Sequence, residues 1–205
     1  MSGPLVAVLD YGIGNLSSAQ KALCHVGADA RLVTTAADAA AADGVVLPGV
    51  GAFGACMDAL DAAGLAGPAR DAAHSTRPFL GVCVGMQLLF DRSEELPGRS
   101  GLGLVGGTVR WLPATVKRPQ MQWNRLATCR VDPLLAGLDG GWVYFVHSFY
   151  GLPDDLDTVA ATCEYGTSVT AAVRQGNIFA TQFHPEKSGT DGLRLLANFV
   201  GLCAR

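Results

Sequence analysis

Phe79-Leu80-Gly81-Val82-Cys83-Val84-Gly85-Met86-Gln87-Leu88-Leu89-Phe90 decides the fold. A short apolar run meets G-x-C-x-G and gives way to a helical pattern carrying Met86, Leu88, Leu89 and Phe90, the strand–turn–helix layout of a nucleophile elbow. Small residues flank the turn so that Cys83 can project from the end of a sheet, with the next helix's N-terminus behind it. A free thiol ionises near pH ~8.5, and a helix dipole or an adjacent imidazolium lowers that value. The five residues alone fit a buried, inert cysteine equally well, so a partner base has to decide between the readings.

That partner stands near the other end of the chain. In Thr181-Gln182-Phe183-His184-Pro185-Glu186-Lys187-Ser188 an imidazole and a carboxylate straddle a proline that stops the strand running from Ile178 to Gln182. This places His184 to face Cys83 and Glu186 to bind the other ring nitrogen, fixing the tautomer. The three side chains fall at the carboxyl ends of strands, where an open α/β sheet gathers its site.

Outward from the elbow, strands and helices alternate. Leu5 to Leu9 reads as a parallel strand covered on both faces, Asn15 as the cap of a helix bearing Leu16, Ala19, Leu23 and Val26, and Gly27 as its stop. Ala30–Val33 and Val45–Leu47 are the next strands, a helix aligns Phe53, Cys56 and Leu60, and the nucleophile strand comes fourth. The alanine-rich Ala36–Ala42 reads as a short helix. Strands over 104–111, 142–147, 158–164, 169–174 and 178–182 follow, and Ser188 caps a last helix burying Leu193, Leu196, Ala197, Val200 and Cys203. The pattern predicts one domain over residues 1–205, an α/β fold of three layers with an open, mostly parallel sheet and helices on both faces.

Composition fits an intracellular enzyme. With 205 residues, 49% hydrophobic and 16% charged, the chain can bury a sizeable core, and a net charge of −3 with scattered Lys and Arg argues against a nucleic-acid surface. No stretch is apolar enough for a membrane span, and Met1-Ser2-Gly3-Pro4 runs into a strand without a signal-peptide layout, so a cytoplasmic location is expected. The six cysteines lack metal or disulfide spacing, and no cofactor or metal is expected. Five read as small core residues, with Cys24, Cys56 and Cys203 on apolar helix faces. His25 and His74 fall near helix ends on solvated faces.

Gly49-Val50-Gly51-Ala52-Phe53-Gly54 also matches the dinucleotide fingerprint G-x-G-x-x-G, but the next strand ends in Cys83 instead of the carboxylate that would hold a ribose. Gly101-Leu102-Gly103-Leu104-Val105-Gly106 leads into a strand and is set aside. A better use of Pro48-Gly49-Val50-Gly51 is to turn an amide toward an oxyanion, with the N–H groups of Val50 and Val84 converging.

Five segments, Asp10-Tyr11-Gly12-Ile13-Gly14-Asn15-Leu16, Leu47 to Phe53, Gly81 to Leu89, Tyr144-Phe145-Val146-His147-Ser148 and Thr181 to Gly189, resemble in order the motifs of the glutaminase subunits of imidazole glycerol phosphate synthase. The resemblance covers nearly the whole chain. The elbow and the His-Pro-Glu alone would suit any class I (triad-type) glutamine amidotransferase; the remaining motifs narrow it to the histidine-pathway members. One segment departs: family members read Pro-His-Met-Gly-Trp-Asn, or Gln second, where this chain has Pro119-Gln120-Met121-Gln122-Trp123-Asn124, with Gln122 replacing glycine beside the family's synthase contact.

The resemblance implies a reaction. Cys83 attacks the side-chain amide of L-glutamine, Val50 and Val84 supply the oxyanion hole, His184 protonates the departing ammonia and then activates water, and Glu186 orients the ring. It implies glutamine contacts from Gly49, Gly51, Gln87, Ser148 and Phe149, with His147 a structural or backbone contributor. It implies a heterodimer with a (β/α)8 barrel cyclase that receives ammonia through a dry passage and makes imidazole glycerol phosphate. Tyr11, Asn15, Trp123, Tyr144 and Lys187 are the candidate contact face. A glutaminase serving a pyridoxal phosphate or anthranilate synthase, or a non-catalytic regulatory subunit, are the alternatives.

Overall fold

The elements alternate from the start: β1 (Leu5–Leu9), α1 (Leu16–His25), β2 (Asp29–Val33), α2 (Ala36–Ala40), β3 (Gly44–Leu47), α3 (Phe53–Ala62), α4 (Ala66–His74), β4 (Phe79–Val82) and α5 (Val84–Gln87). The computed structural model describes residues 3–204, so Met1 and Ser2 of the opening segment lie outside the described residues. The second half is strand-rich: β5 (Phe90–Ser93), β6 (Val105–Trp111), β7 (Gln120–Arg125), β8 (Ala127–Thr128), β9 (Trp142–His147), β10 (Phe149–Pro153), β11 (Val159–Glu164), β12 (Ser168–Gln175) and β13 (Ile178–Thr181). Helix α6 (Gly189–Cys203) follows.

An eight-stranded sheet in the order β2-β1-β3-β4-β13-β12-β11-β8 forms the centre. β2, β1, β3, β4 and β13 run parallel, while β12, β11 and β8 continue the sheet antiparallel. Of the parallel strands, β1, β3, β4 and β13 are buried nearly throughout, which is why they read as continuous apolar runs and not as alternations, while β2 at the edge exposes Arg31 and Leu32. Helices α1 and α6 pack together, and α2, α3 and α4 form a separate group that also reaches the sheet. The fold is thus the mixed α/β, mostly parallel arrangement that the pattern predicts. Smaller sheets, β10-β6-β5 and β7-β9, lie beside it.

Several elements differ from expectation. The helix after Cys83 is a single turn and Phe90 starts a strand: the carbonyls of Leu88 and Leu89, which a longer helix would use, accept instead from Leu102, Leu104 and Val105. Leu88, Leu89 and Phe90 are all fully buried, so their pattern carries no period to reveal the change. Helix α4 has no counterpart in the sequence reading; Pro68 sits in its first turn, where the missing N–H costs no helical bond. Neither Asn15 nor Ser188 makes a side-chain capping bond. Cys24 and Cys129 are exposed, against the expectation of core packing, while Cys56, Cys163 and Cys203 are buried. No helix of the described residues is long and apolar enough to cross a membrane.

Candidate active site

Adjacent parallel strands deliver the two halves of the site. β4 and β13 pair with Val82 opposite Thr181, and the backbone N–H of Cys83 donates to the Thr181 carbonyl at 2.7 Å. Chain ends separated by about a hundred residues thus finish side by side. Cys83 has φ +56° and ψ −113°, and it alone among the described non-glycine residues has positive φ. Such a conformation is strained for a side-chain-bearing residue and persists only where the surroundings impose it. Here the imposition comes from Gly85, whose missing side chain lets Leu47 approach: a Cβ there would lie 1.9 Å from the Leu47 carbonyl oxygen.

His184 is 2% exposed and its Nδ1 lies 2.8 Å from Oε1 of Glu186, whose side chain is 5% exposed. Burial, the largest influence, pushes the His184 pKa down. Hydrogen bonding and charge attraction from Cys83 and Glu186 outweigh it and raise the ring to about 9. The loop carrying this pair is anchored on both sides: the His184 N–H donates to the Tyr144 carbonyl, the Tyr144 N–H donates to Ser188 Oγ, and Ser188 Oγ donates to the His184 carbonyl at 2.6 Å. Ser188 therefore braces the loop instead of capping α6. Gln182 lies behind the sulfur, its Nε2 3.9 Å from Cys83 Sγ.

Cys83 and His184 open onto one cavity of about 250 Å³, lined also by Val50, Gly51, Val84, Gln87, Glu95, His147, Ser148, Phe149 and Lys187. The amide nitrogen of Gln87 donates to the Phe149 carbonyl and to Gln182 Oε1, which leaves its oxygen to meet a ligand. Gly49 lies just behind, so close that a Cβ on it would stand 2.6 Å from the Gly85 nitrogen. In this structure the Val84 N–H donates to the Gly49 carbonyl at 3.3 Å. Three successive carbonyls of this loop are occupied, those of Pro48 by the Tyr11 hydroxyl at 2.6 Å, Gly49 by Val84, and Val50 by the Cys56 thiol at 3.2 Å.

The match to a family model decides the membership: the model described as glutamine amidotransferase class-I aligns with residues 7–202. The chain belongs to the class I glutamine amidotransferase family. Its curated relatives include the imidazole glycerol phosphate synthase subunit HisH of Syntrophotalea carbinolica, 48% identical over 203 residues that cover 95% of this chain and 98% of that one. The subunit HisH of Deinococcus radiodurans is 49% identical over 201 residues, covering 97% and 94%. Among solved structures, a glutamine amidotransferase aligns with TM-score 0.77 and 21% identity over 98% of this chain and 99% of that one. The structure of PurLQS from Thermotoga maritima aligns with TM-score 0.76 and 21% identity, covering 97% and 98%.

Within this class I amidotransferase chain, the expected contact residues divide. Trp123 is 47% exposed, Lys187 is exposed at the cavity rim, and Asn15 and Tyr144 are half-buried. Tyr11 departs from expectation: it is 5% exposed, its hydroxyl committed to Pro48, so it offers almost no surface. Gln122 lies in β7, opposite Phe145, in a regular strand that needs no glycine. Glu95 and Gln182 escaped sequence reasoning. Glu95 stands on the loop after β5, and no periodic pattern points to the bond from the Phe53 N–H to its Oε2.

His147 provides a pH signature. Burial, its largest influence, and the charge of His184 together hold its pKa down to about 4 against the bond to Phe149. A histidine depressed on folding contributes stability above its unfolded value near ~6.5 and loses it as pH falls toward the folded value. Unfolding free energy from this group is expected to be about 2 kcal/mol lower at pH 5 than at pH 7. Urea midpoints for wild type and His147→Asn test this: the difference between pH values should shrink in the variant.

Proposed function

We propose that this chain hydrolyses L-glutamine to glutamate and ammonia, with Cys83 as nucleophile, His184 as acid and base, and Glu186 orienting the ring, and that it passes the ammonia to a (β/α)8 barrel cyclase of histidine biosynthesis in the cytoplasm. The observation that carries this reading is the meeting of a strained cysteine and a histidine on one small cavity, with a buried carboxylate hydrogen-bonded to the far side of that histidine. The class I family membership and the HisH relatives support the substrate and the pathway.

The thiolate adds to the glutamine carboxamide carbon, and the oxygen takes the negative charge. Its donors are the N–H groups of Val84 and Val50. Because Val84 donates to the Gly49 carbonyl, that carbonyl must withdraw first, and rotation of the Gly49–Val50 peptide does so while turning the Val50 N–H inward. His184 gives a proton to the nitrogen as the C–N bond breaks, ammonia leaves, and a thioester remains. Water then attacks, with His184 as base and Glu186 holding the proton on Nδ1. For the amino-acid end of the substrate, the Glu95 carboxylate suits an α-ammonium, while Gln87 oxygen, Gly49, Gly51 and the backbone at Ser148 and Phe149 fill the remaining wall.

The cyclase fits the face that carries Met121, Trp123 and Trp142, which are 63%, 47% and 53% exposed on the β7-β9 ribbon. Tyr144 stands opposite Trp123 on this ribbon, Lys187 lines the active-site cavity, and Asn15 lines a recess with Pro48, whose carbonyl the Tyr11 hydroxyl holds. Glutamate release should be slow for the chain alone and at least about tenfold faster with the barrel cyclase and its ligand, since a blocked oxyanion donor is worth roughly 10²–10³ in rate. A rate unchanged by the cyclase, or co-purification of another synthase in its place, would overturn the partner.

A further inference from the structure

His147 ends β9 in the cavity wall, beside Cys83 and His184. The residue is 6% exposed, and its Nδ1 lies 2.8 Å from the Phe149 carbonyl, which can only accept. Nδ1 therefore carries the ring hydrogen, and Nε2 is a lone pair while the ring is neutral. Burial keeps it neutral at pH 7. Among the described residues, two buried side-chain nitrogen or oxygen atoms lack a hydrogen-bond partner: Nε2 of His147 and Oε1 of Gln120. Gln120 lies directly opposite His147 across the β7-β9 ladder, so both side chains leave the ribbon on the same face. Both atoms are acceptors and cannot satisfy each other, while the Gln120 nitrogen is turned toward Cys163 Sγ, 3.9 Å away. A buried acceptor without a donor costs stability and calls for an occupant that supplies hydrogens.

We propose that Nε2 of His147 accepts an N–H of the substrate carboxamide and keeps hold of that nitrogen as it departs. The proposal rests on the glutaminase reading and deepens it. The amide nitrogen arrives with two hydrogens and leaves with three; the electron pair of the broken C–N bond stays on nitrogen, and the third hydrogen comes from His184. His147 gains and loses no proton. It fixes the plane of the amide, so that the nitrogen faces His184 and the carbonyl oxygen faces the Val50 and Val84 amides. The same lone pair offers nothing to a carboxylate oxygen, so the glutamate product is disfavoured where the glutamine amide is held.

The test compares two substrates and two variants in the protein assembled with the barrel cyclase. His147→Asn retains a donor that can reach the Phe149 carbonyl and deletes the acceptor at the Nε2 position; His147→Gln does the reverse. The γ-methyl ester of glutamate delivers the same acyl group to Cys83 but has no N–H on its leaving group. In His147→Asn, kcat/KM for glutamine should fall about 10- to 100-fold while that for the ester stays within about twofold of wild type. His147→Gln should recover part of the glutamine rate. Equal losses on both substrates, no loss on glutamine, or a Gln variant poorer than the Asn variant would overturn the assignment and leave His147 as a brace for Phe149. Wild-type protein that turned over neither substrate would remove the glutaminase reading itself, and this proposal with it.

Discussion

Cys83→Ala is expected to reduce glutamate release by about 10⁴-fold or more, to the rate of the same assay without protein. No other group in the cavity can replace the sulfur. Cys56, a thiol near the loop before it, is buried, donates to the Val50 carbonyl and has its pKa raised by burial above all, so it supplies no thiolate. The variant should fold as wild type does, because alanine is no worse than cysteine at φ +56° and removes only a sulfur from a cavity wall. Thermal unfolding recorded beside the glutaminase assay separates loss of chemistry from loss of fold. Residual activity above about 1% of wild type, in a folded variant, would require a different nucleophile.

Gly85→Ala should have the larger structural effect. Its methyl group would stand 1.9 Å from the Leu47 carbonyl oxygen and 2.9 Å from the Leu47 carbonyl carbon, backbone atoms of a fully buried strand that cannot turn aside. Strand β3 would have to move away from β4, breaking the pairing that sets the Pro48–Gly51 loop beside Cys83. A loss of about 3 kcal/mol or more is expected, with glutaminase activity lost in any protein that still folds. Gly201→Ala is the matched control, since Gly201 lies exposed in α6 with nothing within 4 Å of a new Cβ. It should raise stability by about 0.5–1 kcal/mol. Urea midpoints for the two variants test the pair; a Gly85→Ala protein as stable as wild type would show that the elbow does not depend on this contact.

Much of this architecture is legible in the sequence where local pattern and burial agree. β1, β3 and β4 are apolar on every residue because helices or loops cover both faces, and the elbow falls at the end of β4 and the His-Pro-Glu turn just past the end of the buried β13. Legibility fails where tertiary bonds override local preference. Leu88–Phe90 continue an apolar run into a different element because Leu102, Leu104 and Val105 donate to their carbonyls. The strand Gln120–Arg125 alternates polar and apolar residues over only a few positions, and its apolar ones, Met121 and Trp123, face solvent while Gln120 is buried, the reverse of the usual strand pattern. In the site, residue identities were readable from motif types, but their hydrogen-bond states were not. Nothing in Gly49-Val50 announces that one carbonyl would occupy the Val84 amide, nor does Tyr11 in an apolar-to-glycine transition announce that its hydroxyl would turn inward to Pro48. Those are properties of the folded loop, set by which donors lie within reach.

The central claim is that Cys83, activated by His184 and Glu186, attacks the side chain of glutamine. Incubating the complex with an electrophilic glutamine analogue, such as a diazoketone, and mapping the adduct by mass spectrometry tests it most directly. One covalent label on Cys83 should appear, slowed by excess glutamine and lost in His184→Asn. A label spread over the exposed Cys24 and Cys129, or one on Cys83 that glutamine does not slow, would contradict it.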